Sequence, residues 1–316
     1  MKDIVALGEL LIDFTQDGVS AQGMNEYERN PGGAPANMLV AAGNLGCSTA
    51  MIAKVGDDMH GRFLKAVLDE HGVDTSSVIF DRNAFTTLAF VNISPDGERN
   101  FSFARKPGAD TCLRPDELDK ELIKTSKIFH FGSLSLTDEP AKSATYAALN
   151  AAKESGVTIC FDPNYRAPLW PSFEAAAQAV REALPYADIV KISDEETLLV
   201  TGVEDPVDAS KRLVESGIKA ALVTLGKDGA LVRSRDGFTF VPAFVGNVID
   251  TTGAGDSFTG GFLARLIQSG QKISEVSLDD LCEFAKTGNA VATLCIQKRG
   301  GISSIPRKED VEKLIG

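Results

Sequence analysis

Short β-branched or apolar runs separated by helical stripes recur along this chain, and that alternation limits its fold more than any other feature. The runs are Ile4 to Leu7, Ala50 to Val55, Ile128 to Phe131, Thr158 to Phe161, Asp188 to Ile192 and Ala220 to Thr224. Between them Met38, Ala41, Ala42 and Leu45 fall at i, i+3, i+4 and i+7, and similar stripes run from Ala141 to Ala152 and from Phe173 to Leu184. Strands alternating with amphipathic helices predict βαβ units and an open, mostly parallel α/β sheet flanked by helices.

Two stretches interrupt the rhythm, Phe14 to Asn30 and Ile79 to Arg105. The second has the pattern of a hairpin, with Pro95-Asp96-Gly97 turning between Thr86 to Ser94 and Glu98 to Arg105. Both are expected to form a small β-sheet lid, at about residues 14–30 and 79–105, inserted into one α/β domain spanning residues 1–316. No internal repeat, low-complexity tract or flexible linker divides the chain, and Lys308 to Ile315 is expected to be a terminal helix.

The formal net charge of −12 repels nucleic acid and anionic membranes, so small-molecule chemistry is expected. Cys47, Cys112, Cys160, Cys282 and Cys295 form no C-x-x-C pair, which argues against a zinc knuckle or a disulfide framework and for a reducing, cytoplasmic compartment. The N-terminal residues lack the apolar core of a signal peptide, and no run approaches the ~20 apolar residues of a membrane span.

Ligands of open α/β sheets bind beyond the carboxyl ends of strands. The polar groups there are Asp13, Asp162 to Arg166, Ser193 to Glu196, Thr224 to Gly229 and Asp250 to Asp256. In Asp250-Thr251-Thr252-Gly253-Ala254-Gly255-Asp256, a glycine turn opens a helix. The amides of Gly253, Ala254 and Gly255 can approach phosphate oxygens, helped by the positive end of the helix dipole. Asp256 can accept a proton from a hydroxyl attacking a γ-phosphate. An isolated G-x-G-D fits an ordinary helix start equally well, so its company matters. No G-x-x-x-x-G-K-[ST] occurs and the third glycine of a dinucleotide fingerprint is missing, which disfavours a Walker-type NTPase and a Rossmann dehydrogenase.

Asn30-Pro31-Gly32-Gly33-Ala34-Pro35-Ala36-Asn37 again places glycines before a helix, where backbone can approach a ligand and Asn37 can both donate and accept hydrogen bonds. Adjacent sugar hydroxyls can donate together to one carboxylate, which suits Asp13 to a polyhydroxyl substrate.

Together Gly32-Gly33-x-x-x-Asn37 and Asp250 to Asp256 resemble the two signatures of the PfkB (ribokinase-like) carbohydrate kinases. Gly56-Asp57-Asp58, Asp162-Pro163-Asn164-Tyr165-Arg166, Thr224 to Gly229 and Lys298-Arg299-Gly300-Gly301 extend the resemblance over nearly the whole chain. His130 to Leu136, Pro168 to Ser172 and Lys191 to Glu196 are most similar to the fructokinase branch.

The resemblance implies a ribokinase-like fold and ATP-dependent phosphorylation of a primary hydroxyl of a free ketohexose, fructose giving fructose 6-phosphate. It implies Asp256 as catalytic base, Gly253, Ala254 and Gly255 as anion hole, and Asp13, Gly32, Gly33 and Asn37 as sugar contacts. Asn164, Ser193, Glu196, Thr224, Gly226, Gly229 and Asn289 fall on the nucleotide side. Glu196 is implied to support magnesium through water, with Ser193 where the family's Asn-x-x-Glu motif has asparagine. Asp250, Thr252, Gly300 and Ser304 are implied to hold a monovalent cation such as potassium, chiefly through backbone carbonyls.

Arg105 and Arg166 could each clamp a substrate carboxylate or satisfy a neighbouring aspartate. The first option would fit a 2-keto-3-deoxygluconate kinase, which the chain resembles nearly as well. The same residues leave room for a riboside or nucleoside kinase, and for a non-catalytic sugar or nucleotide sensor. His60, His71 and His130 lack metal-ligand spacing and are expected in ordinary surface or core positions. Exposed lid strands are expected to pair two chains into a homodimer.

Overall fold

The structure, a computed structural model, describes residues 1–93 and 99–316. The expected Pro95-Asp96-Gly97 turn lies outside the described residues.

Ile4–Leu7 forms β1, a fully buried strand inside a nine-stranded sheet. The chain leaves that sheet through β2 (Leu11–Val19) and β3 (Asn25–Gly32), then returns with α1 (Ala34–Asn44), β4 (Thr49–Gly56), α2 (Met59–Glu70) and β5 (Asp74–Asp81). A second excursion, β6 (Leu88–Ile93) and β7 (Arg99–Ala104), completes a separate four-stranded sheet of order β3-β2-β6-β7. The large sheet resumes with α3 (Lys120–Lys124), β8 (Ile128–Gly132), α4 (Ala141–Glu154), β9 (Thr158–Asp162), α5 (Phe173–Ala183) and β10 (Ile189–Ser193). It continues with α6 (Thr197–Thr201), α7 (Pro206–Glu215), β11 (Ala220–Thr224), β12 (Ala230–Ser234) and β13 (Gly237–Val241). Three helices close the chain: α8 (Ala254–Ser269), α9 (Leu278–Cys295) and α10 (Lys308–Ile315).

The large sheet has the order β13-β12-β11-β10-β9-β8-β1-β4-β5. Strands β1, β4, β5 and β8 to β11 pair in parallel, whereas β12 and β13 add an antiparallel edge. The chain winds from β1 outward through β4 and β5, and later from β8 outward on the other side. The winding therefore reverses between β1 and β8, and a reversal of this kind opens a crevice beyond the strands' carboxyl ends.

Strand periodicity divides the interior. Ile4 and Ala6 face a core built with Met38 and Leu39 of α1 and Phe258 and Phe262 of α8. Val5 and Leu7 face the opposite core, with Leu149 of α4, Val180 of α5 and the stacked rings of Phe131 and Phe161, 4.3 Å apart. The fold is the ribokinase-like α/β arrangement expected from the alternation and the resemblance. Ile79 to Asp81, expected in the lid, instead finish β5 in the large sheet.

The small sheet is seated by aromatic packing and a polar anchor. Phe14 stacks on Phe90 at 5.2 Å and meets His60 edge-on at 5.9 Å. Where the chain enters and leaves β6 and β7, Asp110 accepts from Thr87 Oγ1 at 2.5 Å and from Arg105 Nε at 2.8 Å. The Arg105 fork also donates to Thr137 Oγ1 and to the Leu134 carbonyl, each at 2.8 Å. Among the described residues, no helix is long and apolar enough to cross a membrane.

Candidate active site

Helices α1 and α8 both begin at the crevice end of the sheet. Gly33 caps α1 with φ at 118°, and a Cβ there would stand 2.4 Å from the Glu9 carbonyl oxygen, so glycine alone fits. Glu9, just after β1, accepts from the Ala34 amide at 2.9 Å. Burial pushes its carboxyl up to about 7 even at this helix N-terminus.

Gly32 lies against the Asp13 carboxylate, whose Oδ2 would be 2.1 Å from a Cβ at that position. Among the described residues, no hydrogen-bond donor reaches the Asp13 carboxylate. Burial pushes it up to about 7, with Asp256 and Asp250 adding to the rise and Arg166 opposing it. An acceptor of this kind calls for hydrogen-bond donors from a ligand, and sugar hydroxyls supply them.

Asp256, in the first turn of α8, is buried at the bottom of the same crevice. Asn37 Nδ2 donates to its Oδ2 at 2.8 Å and Asn164 Nδ2 to its Oδ1 at 2.7 Å. Each oxygen keeps a lone pair free for an incoming hydroxyl proton. Asn164 has φ of 47°, the left-handed region that asparagine tolerates, so the loop after β9 is bent to deliver this bond. Burial and the Asp162 charge raise Asp256 to about 6, against Asn37, Lys191 and Arg166.

The sequence placed Asn37 on the sugar and Asn164 on the nucleotide; here both amide nitrogens orient Asp256. The three amides expected to form the anion hole differ in their present partners. Gly253 begins α8 in the left-handed region, but the Ala254 amide donates back to the Thr251 carbonyl at 3.2 Å. Among the described residues, the amides of Gly253 and Gly255 remain without an acceptor.

Glu196 is not an open metal ligand. Its Oε1 accepts from the Tyr165 amide at 2.7 Å, and its Oε2 from the Ser193 amide at 2.8 Å and hydroxyl at 3.2 Å. This carboxylate ties the end of β10 to the loop carrying Asn164. Thr224, Gly226 and Gly229 gather at the carboxyl end of β11, with Thr224 Oγ1 donating to the Ile192 carbonyl at 3.3 Å. The buried amide of Asn289 donates to the Val241 and Pro242 carbonyls at 3.0 Å each, fastening α9 to the end of β13. Asp250 accepts from Thr252 N and Oγ1 and from the Gly300 amide at 3.0 Å, so it knots two loops together. Ser304 Oγ turns inward to the Gly301 carbonyl at 2.8 Å.

The two arginines separate. Arg105 is buried in the lid anchor with its fork on Asp110, Thr137 and Leu134, which is the second of its two expected uses, satisfying a neighbouring aspartate. Arg166 is exposed, donates to its neighbour's Tyr165 carbonyl at 3.0 Å, and lies close enough to Asp13 and Asp256 to lower both. His130 lies in the core, but its buried Nδ1 has no hydrogen-bond partner, so it is not the satisfied core histidine expected.

Sequence reasoning passed over Glu9 and Lys191. Glu9 lies two residues past the end of β1, and Lys191 is a charged residue inside an otherwise apolar run; both were visible signals.

Comparison with known proteins agrees with this geometry. The chain is 43% identical over 316 residues to probable fructokinase-5 of Arabidopsis thaliana, covering 99% of this chain and 97% of that protein. It is 42% identical to fructokinase-1 of Zea mays, over 99% of this chain and 97% of that one. Among solved structures it resembles the ATP-bound fructokinase of Xylella fastidiosa, at 31% identity and a TM-score of 0.91, covering 100% of this chain and 98% of that one. The fructokinase of Vibrio cholerae O395 in its fructose, ADP and calcium ion bound form gives 31% identity and a TM-score of 0.89, over 100% and 99% of the two chains. With residues 1–308 matching the family as a whole, and both signature glycine turns converging on one crevice, the chain belongs to the pfkB family of carbohydrate kinases.

Proposed function

We propose that this chain transfers the γ-phosphate of ATP to the primary hydroxyl of fructose, giving fructose 6-phosphate. The observation that carries the reading is the Asp256 carboxylate, held by Asn37 and Asn164 beside the open amides of Gly253 and Gly255. Asp13 accepts hydroxyls of the sugar and orients it. Asp256 takes the proton of the attacking hydroxyl, while the Gly253 and Gly255 amides neutralise charge on the transferring phosphoryl group.

The Thr224 to Gly229 turn carries the nucleotide. Glu196 Oε1 keeps a lone pair beyond its Tyr165 bond and would hold a magnesium ion through water. Magnesium supplies charge neutralisation between the phosphates when bound. The loops that Asp250 knots together, at Thr252 and Gly300, are our proposed seat for potassium.

Two further assignments belong to this reading. Five unpaired cysteines suit a reducing cytoplasm. The turn from β2 to β3 in the lid leaves Val19 and Met24 60% and 67% exposed, and we assign that end of the lid to a homodimer contact. Sedimentation at micromolar concentration is expected to give a dimer, and a monomer alone overturns that assignment.

The exposed Arg166 fork favours one competing acceptor, a sugar acid such as 2-keto-3-deoxygluconate. ADP release with magnesium, ATP and potassium is therefore to be measured on fructose, 2-keto-3-deoxygluconate, ribose and inosine. Fructose is expected to exceed the others in kcat/KM by roughly tenfold or more. Preference for the sugar acid makes Arg166 a carboxylate clamp, and saturable sugar binding without ADP release overturns the kinase reading.

A further inference from the structure

Lys191 takes no part in the proton transfer or in sugar binding, yet it is a buried cation at the centre of the site. It projects from β10 with its side chain only 5% exposed, and its Nζ lies 3.1 Å from Asp162 Oδ2. Among the described residues Asp162 is the one acceptor within reach of that ammonium, which has three protons to donate. The pair is lopsided on the other side as well. Asp162 Oδ1 is buried with no donor, and its Oδ2 is shared with Thr259 Oγ1 at 3.4 Å.

Lys191 Nζ also stands 2.7 Å from where a Cβ of residue 255 would be, so the ammonium occupies the space beside the glycine whose amide faces the anion site. A desolvated ammonium with unfilled donors is costly, and an arriving phosphate would satisfy them.

We propose that Lys191 is a further anion-stabilising residue of the phosphoryl-transfer site, bearing on the γ-phosphate from beside Gly255 while Asp162 holds its ammonium in place. The proposal rests on the kinase reading of the site and adds a residue to it. The charged groups around Lys191 agree. Burial opposes its charge, but Asp162 on β9, Glu196 after β10 and Asp256 on α8 outweigh burial and raise Lys191 above the ordinary lysine range. His130 on β8, which also faces it, is pushed down to about 3 by burial and the nearby ammonium and contributes no competing charge.

A purely structural ion pair joining β9 to β10 predicts different behaviour, and two variants separate the possibilities. Lys191→Met leaves Asp162 buried and unpaired, so it loses stability as well as charge. Lys191→Met with Asp162→Asn removes both charges together, and replacing a buried pair as a unit is commonly tolerated. The melting temperature of the double variant is expected to recover toward wild type while kcat stays about 10²-fold low and the sugar KM changes little.

Calorimetric titration supplies an acceptor-independent readout. The double variant is expected to lose about tenfold in affinity for magnesium β,γ-methylene-ATP and less than about twofold for magnesium ADP. Recovery of kcat together with stability, or equal losses for the two nucleotides, overturns the proposal. Absence of fructose turnover in the wild type overturns the acceptor instead, and the titration still decides Lys191.

Discussion

Asp256→Asn is expected to lower kcat by ~10²–10⁴ while leaving binding of magnesium β,γ-methylene-ATP nearly unchanged, the pattern of a lost general base. Asparagine is the more informative substitution because it keeps the shape of the carboxylate and an acceptor oxygen for one of its two amide donors, Asn37 and Asn164. Asp256→Ala would leave both of those buried nitrogens without an acceptor, at about 1–3 kcal/mol each, and would mix instability into the kinetics. In the wild type, burial and Asp162 raise Asp256 to about 6. A base must be ionised to act, and Asp13 must be ionised to take charge-assisted bonds from the sugar, so kcat/KM for the free enzyme is expected to fall in two steps as pH drops, through about 7 for Asp13 and through about 6 for Asp256. The lower step is expected to disappear from the residual activity of Asp256→Asn, while the Asp13 step remains. Near-normal turnover, or an unchanged lower step in the variant, would remove Asp256 from the mechanism.

The core of the fold was legible because its strands are buried on both faces and declare themselves as apolar runs. Each expected run lies within, or one residue from, an observed strand of the large sheet. The lid boundary at Ile79 was not, since β5 is an edge strand that is mostly only partly buried, and its pairing with β4 is what assigns it. Chemistry followed the same division. Glycine turns and Asp256 are local signals, written in consecutive residues. The partners of Asp256 are not, because Asn37 and Asn164 lie 219 and 92 residues away and converge only when α1, β9 and α8 meet at the crevice. The two arginines looked equivalent in sequence, and burial alone separated them: Arg105 became part of the lid anchor, and Arg166 stayed at the mouth. The contacts of Asn289 were hidden for a related reason, since a polar residue on a helix does not reveal that backbone carbonyls at the end of β13 will take its amide protons.

Asp13→Asn is expected to cost the enzyme its sugar and to make the protein more stable, and both effects come from one carboxylate. Two hydroxyls donating to a carboxylate are charge-assisted bonds worth about 1.5–3 kcal/mol apiece, so kcat/KM for fructose is expected to fall ~10²-fold or more while nucleotide affinity holds. The stability effect follows from the raised carboxyl. Asp13 goes from an ordinary 3.8 to about 7 through burial, with Asp256 and Asp250 adding to it. Between those values the folded state binds a proton that the unfolded chain has released, so stability falls as pH rises across that window and the full penalty is present above about pH 7. Glu9, also near 7, titrates in the same direction and is unchanged by the substitution. An asparagine at position 13 cannot ionise and escapes the penalty. The variant is therefore expected to gain about 1–3 kcal/mol over wild type at pH 8, and little or nothing near pH 4, where Asp13 is neutral in the fold. Paired thermal melts at the two pH values measure this directly. A variant no more stable than wild type at pH 8 would mean that the crevice already solvates the Asp13 charge, and that an unsatisfied acceptor is not what prepares this site for a polyhydroxyl ligand.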